Sequence, residues 1–135
     1  MFLAYLNPQQ KILFRDLCIF MAFADGNYAD SEKTLLAEYC TEMGIEYSEK
    51  PTTANFDDTI SKINETSTFA EKRAIGFELM GMVMADDVYE ESEREFVEKY
   101  SRVTDIPMDD FDEMEKLITK MKMMNSEIKK VVFKT

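Results

Sequence analysis

Apolar residues between Ile12 and Ala24 do not keep to one side of a helical projection. Ile12, Leu13, Phe14, Leu17, Cys18, Phe20, Met21, Phe23 and Ala24 cover most of its circumference. A helix that is apolar nearly all round must be buried by the rest of its fold. Its start is marked by Asn7-Pro8-Gln9-Gln10: Asn7 is a favourable N-cap, Pro8 suits the first turn and Gln10 can close a capping box. Asp25-Gly26-Asn27 is the turn signal that stops it. A second helix is predicted from Asp30 to Met43, with Leu35, Leu36, Tyr39, Cys40 and Met43 on one face and Gly44 at its end.

Residues 46–55, with Pro51-Thr52-Thr53, read as a loop, and a weaker helix follows from about Phe56 to Ile63. Thr68 and Glu71 form another capping box. The helix they open runs to about Met84 and is again apolar on most sides, through Phe69, Ala74, Ile75, Phe77, Leu79, Met80, Met82, Val83 and Met84. Asp86-Asp87 ends it, and another helix covers about Glu90 to Val103. Pro107 opens the last long helix, to about Met124, with Met108, Phe111, Met114, Leu117, Ile118, Met121 and Met124 on one face. Residues 126–133 add a short final turn. No run alternates apolar and polar residues with period two, so the expected class is all-α. The expected architecture is a compact bundle of about six or seven helices. With 135 residues and 15.7 kDa, the chain suits a single domain.

Two stretches of this pattern are copies. Residues 21–45 and 82–106 align without gaps at a constant offset of 61, with eight of 25 positions identical. The identities include Ala24/Ala85, Asp25/Asp86, Tyr28/Tyr89, Glu32/Glu93 and Tyr39/Tyr100. Each copy reads as a buried helix, an acidic turn and an amphipathic helix, and two copies are expected to pack as a pseudo-two-fold pair. The wider repeat units are about 8–45 and 68–106, with 107–135 as a C-terminal helix and basic tail.

The shared carboxylates are the candidate chemistry. Asp25 and Asp86 sit at a helix C-terminus, where the dipole already presents negative charge, while Glu32 and Glu93 lie in the favourable first turn of the next helix. Two-fold packing would gather Asp25, Glu32, Asp86 and Glu93 into one pocket of oxygens, a donor set for Ca²⁺, Mg²⁺ or Mn²⁺. A purely structural role stays open beside this: the Glu residues capping helix amides, the Asp residues bonding turn amides, and Tyr28 and Tyr89 packing on the following helix. The EF-hand pattern fails, because Asp30 stands where its Gly is needed and Leu36 where its Glu is needed.

Composition narrows the rest. There is no His, which removes Ser-His-Asp and Cys-His catalysis and His-containing zinc sites. Cys18 and Cys40 are the two cysteines, and both fall in apolar helical patterns as packing residues, which suits a reducing cytoplasm. No basic residue precedes the opening apolar run, so no signal peptide is read, and the stretch 12–24 is too short and too polar to span a bilayer. The net charge is −11, which argues against a nucleic-acid partner. It is unevenly placed: residues 1–115 hold 10 basic and 26 acidic groups, net −16, and residues 116–135 hold six basic and one acidic, net +5. The basic end is expected to remain a solvated helix, to fold back on the acidic body or to reach for a partner.

The doubled pattern Ala24-Asp25-Gly26-Asn27-Tyr28 with Glu32, and Ala85-Asp86-Asp87-Val88-Tyr89 with Glu93, resembles the TerB-like family, the small helical tellurite-resistance domain. The endings Met43-Gly44-Ile45 and Thr104-Asp105-Ile106 fit as well, and the resemblance covers about residues 8–125. It implies a compact all-α domain with an acidic, divalent-metal-binding centre, associated with stress and tellurite resistance and with membrane or chaperone partners. Asp87 departs from the Gly that the family prefers. The expected function is a non-enzymatic cytoplasmic module binding a cation and a protein partner, peripheral to a membrane protein complex. Two alternatives stand beside it. One is a metal-dependent hydrolase acting on nucleotides or phosphoesters, for which Glu95-x-x-Glu98 is half of the usual paired motif. The other is a metal-free interaction scaffold.

Overall fold

In the computed structural model, which describes residues 1–24, 28–85 and 91–134, Asn7 opens the first long helix, α1 (Pro8–Phe23). Its side chain accepts the Gln10 N–H at 2.8 Å and the Gln10 side chain accepts the Asn7 N–H at 3.0 Å, so the predicted capping box is complete. The chain continues through α2 (Asp30–Met43), α3 (Phe56–Thr66), α4 (Phe69–Val83), α5 (Glu91–Thr104) and α6 (Met108–Phe133), with a short 3-10 turn at Leu3–Tyr5 before α1. No strand occurs among the described residues, and the helices form a compact all-α bundle. Thr68 and Glu71 cap α4 as expected, and the Thr68 N–H donated to Glu71 holds that carboxyl below the usual carboxylate range.

The two helices that are apolar all round are the two that everything else covers. α1 packs on α2, α3 and α4; α4 packs on α1, α2, α5, α6 and the N-terminal turn. Phe14, Leu17 and Cys18 of α1, and Ile75, Leu79 and Val83 of α4, have no exposed surface. Tyr39 of α2 and Tyr100 of α5 both reach α4, donating their hydroxyls to the Glu78 and Lys72 carbonyls at 3.1 and 2.6 Å. The Tyr39 contact explains Gly81: a Cβ there would lie 2.5 Å from the Tyr39 hydroxyl.

Element bounds follow the sequence copies. α2 and α5 begin and end 61 residues apart, and their buried positions coincide as Leu36/Val97, Tyr39/Tyr100, Cys40/Ser101 and Met43/Thr104. Each ends on a residue of positive φ, Gly44 at +70° and Asp105 at +60°. At the first of these the Ile45 N–H returns to the Cys40 carbonyl at 3.0 Å, the six-residue bond that closes a helix end.

Three elements differ from expectation. α3 continues to Thr66. α6 is one helix from Met108 to Phe133, where a helix to about Met124 and a separate final turn were expected. Its stripe is also not uniformly core: Phe111 and Ile118 are buried, while Leu117, Met121 and Met124 are exposed. The third concerns Arg15 and Asp16, which look like polar interruptions of an apolar run yet are buried. Arg15 donates to the Glu46 carbonyl at 2.7 Å. Asp16 accepts the backbone N–H and the hydroxyl of both Thr52 and Thr53, at 2.7 to 3.0 Å. The residues 46–55 loop is therefore tied to the core by α1, and two of its amides are satisfied by one buried carboxylate.

Asp16→Ala is expected to cost about 2–4 kcal/mol, since two part-buried amides and two hydroxyls lose their acceptor and the buried Asp16 site is left empty. Chemical denaturation checks this, and a loss below 1 kcal/mol, roughly the surface range, would contradict the anchoring role. Burial also pushes up the thiols of Cys18 and Cys40 and the phenols of Tyr39 and Tyr100. Ionising these groups favours the unfolded chain. Stability is then complete below about pH 8 and falls as pH rises through the unfolded thiol and phenol range, about 8.5 to 10. A thiol reagent at neutral pH should label both cysteines only on unfolding; rapid labelling of the native chain would count against their burial.

Candidate functional site

Of the four predicted carboxylates, Glu32 and Glu93 lie among the described residues, each half-buried in the first turn of its helix, α2 and α5. Asp25 and Asp86 lie outside them, as do Asp87 and Tyr89. The Glu32 carboxylate accepts the Ala29 N–H at 3.4 Å, half of a capping box, because Ala29 has no side-chain oxygen to return the bond. Among the described residues no group of three or more His, Cys, Asp or Glu side chains could hold a metal ion. The proposed oxygen pocket thus depends on its two Asp members.

Around the first turn the aromatic residue acts as a clasp. The Tyr28 ring packs on Phe23 with centroids 4.4 Å apart, linking the end of α1 to the approach to α2. The Lys33 ammonium lies 5.2 Å over the same ring, and the Tyr28 hydroxyl meets that of Tyr47 at 3.1 Å. Burial, and then the Tyr47 hydroxyl, push the Tyr28 phenol well up. The ring thus stacks on the preceding helix, where packing on the following one was expected; in α2 it meets the Lys33 ammonium.

Grooves lie between α6 and the rest of the bundle. One, of 440 Å³, runs between the start of α2 (Ser31, Thr34), the end of α4 (Gly81, Ala85) and Lys122 and Asn125 of α6. It brings the first turn of α2 and the entry to the second acidic turn to the same end of the molecule. Lys122 reaches into this region and donates to the Met84 carbonyl, placing positive charge at the C-terminus of α4, where the helix dipole favours it. Another groove, of 660 Å³, is apolar. Ala74 and Phe77 of α4, Phe2, and Met114, Leu117 and Met121 of α6 line it, with Arg73 and Lys120 as its charged members.

The N-terminal segment forming one wall of that groove is held by two carboxylates that sequence reading missed. Glu78, buried in α4, accepts the Phe2 N–H at 2.9 Å and pairs with the Met1 amino group at 3.0 Å. Glu42 takes the same amino group at 2.8 Å and the Leu3 N–H at 3.0 Å. The signal was present, since Glu78 is the one charged residue in the apolar stretch 74–85, but its partner lies 76 residues away. In the hydrolase fragment, Glu98 pairs with Arg94 at 3.4 Å, and Glu95 is exposed on α5. No family model, curated protein or solved structure matches this chain.

Glu78→Leu is expected to release the N-terminal segment, because the Phe2 N–H loses its acceptor and a buried carboxylate is removed from the Met1 amino group. Hydrogen exchange of the amides of residues 2–6 should accelerate while those of α5 stay protected. Unchanged exchange at the N-terminus would rule out this anchoring.

Proposed function

We propose that this chain is a non-enzymatic, TerB-like cytoplasmic domain that binds a divalent cation through its paired acidic turns and serves a protein partner in stress or tellurite resistance. In this reading the α1–α2 and α4–α5 hairpins are related by a pseudo-two-fold, and Asp25, Glu32, Asp86 and Glu93 are the ligands. The observation that carries it is the groove shared by Ser31 and Ala85, which supports bringing the two acidic turns toward one another. Oxygen-only donors suit a hard cation, and half-buried carboxylates hold one more tightly than fully solvated ones. Lys122 near the same end competes with a metal ion for the negative field, so moderate affinity is expected. Peripheral association with a membrane protein complex belongs to the same reading; no helix among the described residues is long and apolar enough to cross a membrane.

A metal-free interaction scaffold is the second reading, favoured by the apolar groove between α4 and α6. The two are separated by melting the protein with Ca²⁺, Mg²⁺ or Mn²⁺ at about millimolar concentration, where ion binding to the folded state raises the melting temperature by mass action. A rise that disappears in Asp25→Asn with Asp86→Asn supports the cation. The absence of any rise in the unmutated chain favours the scaffold. Turnover of nucleoside triphosphates with Mg²⁺ would overturn both in favour of an enzyme.

A further inference from the structure

The last helix carries a face patterned for self-pairing. Met114, Leu117, Met121, Met124, Ile128 and Val131 recur at alternating steps of three and four residues, the a and d spacing of a coiled coil. At the helical rise, the stripe runs about 26 Å along α6. Met114 is half-buried; the other five are exposed, from 40% at Met121 to 69% at Val131. Its first half is a wall of the 660 Å³ apolar groove, and its second half projects beyond the body, where residues 123–134 are all exposed. An exposed apolar stripe of that length marks an interaction surface.

Charge says what covers it. Residues 108–118 of α6 hold five acidic groups and one basic, while residues 119–134 hold five basic and one acidic. A second α6 laid parallel would set acid on acid and base on base. Laid antiparallel, it sets each acidic half on a basic one. We propose that α6 pairs antiparallel with α6 of a second copy of this chain, each projecting basic end lying along the acidic half and apolar groove of the other.

The register is specific. With Met121 opposite the partner's Met124, Leu117 meets the partner's Ile128 and Met114 meets the partner's Val131, and symmetry doubles these into six apolar layers. The flanking g positions are then opposite in sign: Lys120 faces the partner's Glu127, and Glu113 faces the partner's Lys134. A two-fold contact of this kind closes on itself and gives a dimer rather than a filament. An anionic membrane would attract the basic end, but the body of net −16 opposes approach to such a surface. This pairing is independent of the cation reading.

Sedimentation equilibrium of the full chain at about 100 µM is expected to give twice the 15.7 kDa chain mass. Ile128→Glu with Val131→Glu changes only exposed positions, so helicity is retained, while the dimer weakens by at least about tenfold. Lys120→Glu and Glu127→Lys should each weaken it, and together restore it, because the swapped charges again face opposite sign. A monomeric native chain overturns the proposal, and binding of that monomer to phosphatidylserine vesicles would assign the face to a membrane. A dimer indifferent to the Ile128 and Val131 changes, or a charge swap that does not restore pairing, equally overturns it.

Discussion

Burying α4 on nearly every side is the constraint from which the rest of the bundle follows. A helix with Phe, Ile, Leu, Met and Val around most of its circumference is stable in water only when several elements cover it. α1, α2, α5, α6 and the N-terminal turn all do so. Tyr39 and Tyr100 approach from separate helices and end on its backbone carbonyls, so α2 and α5 are tied to the same central element by the same chemistry. Covering α4 also fixes which ends of the helices lie together, and so where the candidate site and both grooves are.

The same burial makes a partner for each polar group carried inside energetically important, and among the described residues the Arg15 Nε is a buried side-chain atom left without one. Asp16 and Glu78 sit in the two central helices and each accepts backbone N–H groups from segments that are not helical there. A buried carboxylate that receives several donors fixes a loop more firmly than apolar contact alone, because releasing the loop strands both charge and amides. The residues 46–55 loop and the N-terminal segment therefore belong to the core in an energetic sense, although their sequences read as connectors.

α6 links the acidic body to the basic end. Its first half is bound to the bundle through Phe111 and Ile118, with Arg73 paired to Asp110. Its second half continues as helix into solvent, and near its start Lys122 still touches the body, on the Met84 carbonyl. The excess charge of body and arm is thereby held apart within one chain. An antiparallel partner is one arrangement that brings the two signs together.

By itself the sequence determined the all-α class, both capping boxes, the ends of α2 and the identity of the two central helices, because each of these rests on neighbours within one or two turns. It also carried the 61-residue repetition that α2 and α5 follow in bounds and buried positions. Half of the candidate site was legible in the same way: Glu32 and Glu93 occupy first turns as their spacing requires, while Asp25 and Asp86 fall outside the described residues. Only the tertiary structure decided that Arg15, Asp16 and Glu78 are anchors, since their partners lie 31 to 76 residues away. It alone decided that α6 runs unbroken to Phe133 and that part of its stripe faces solvent. Periodicity shows that a face is apolar; what covers that face depends on where the other helices end.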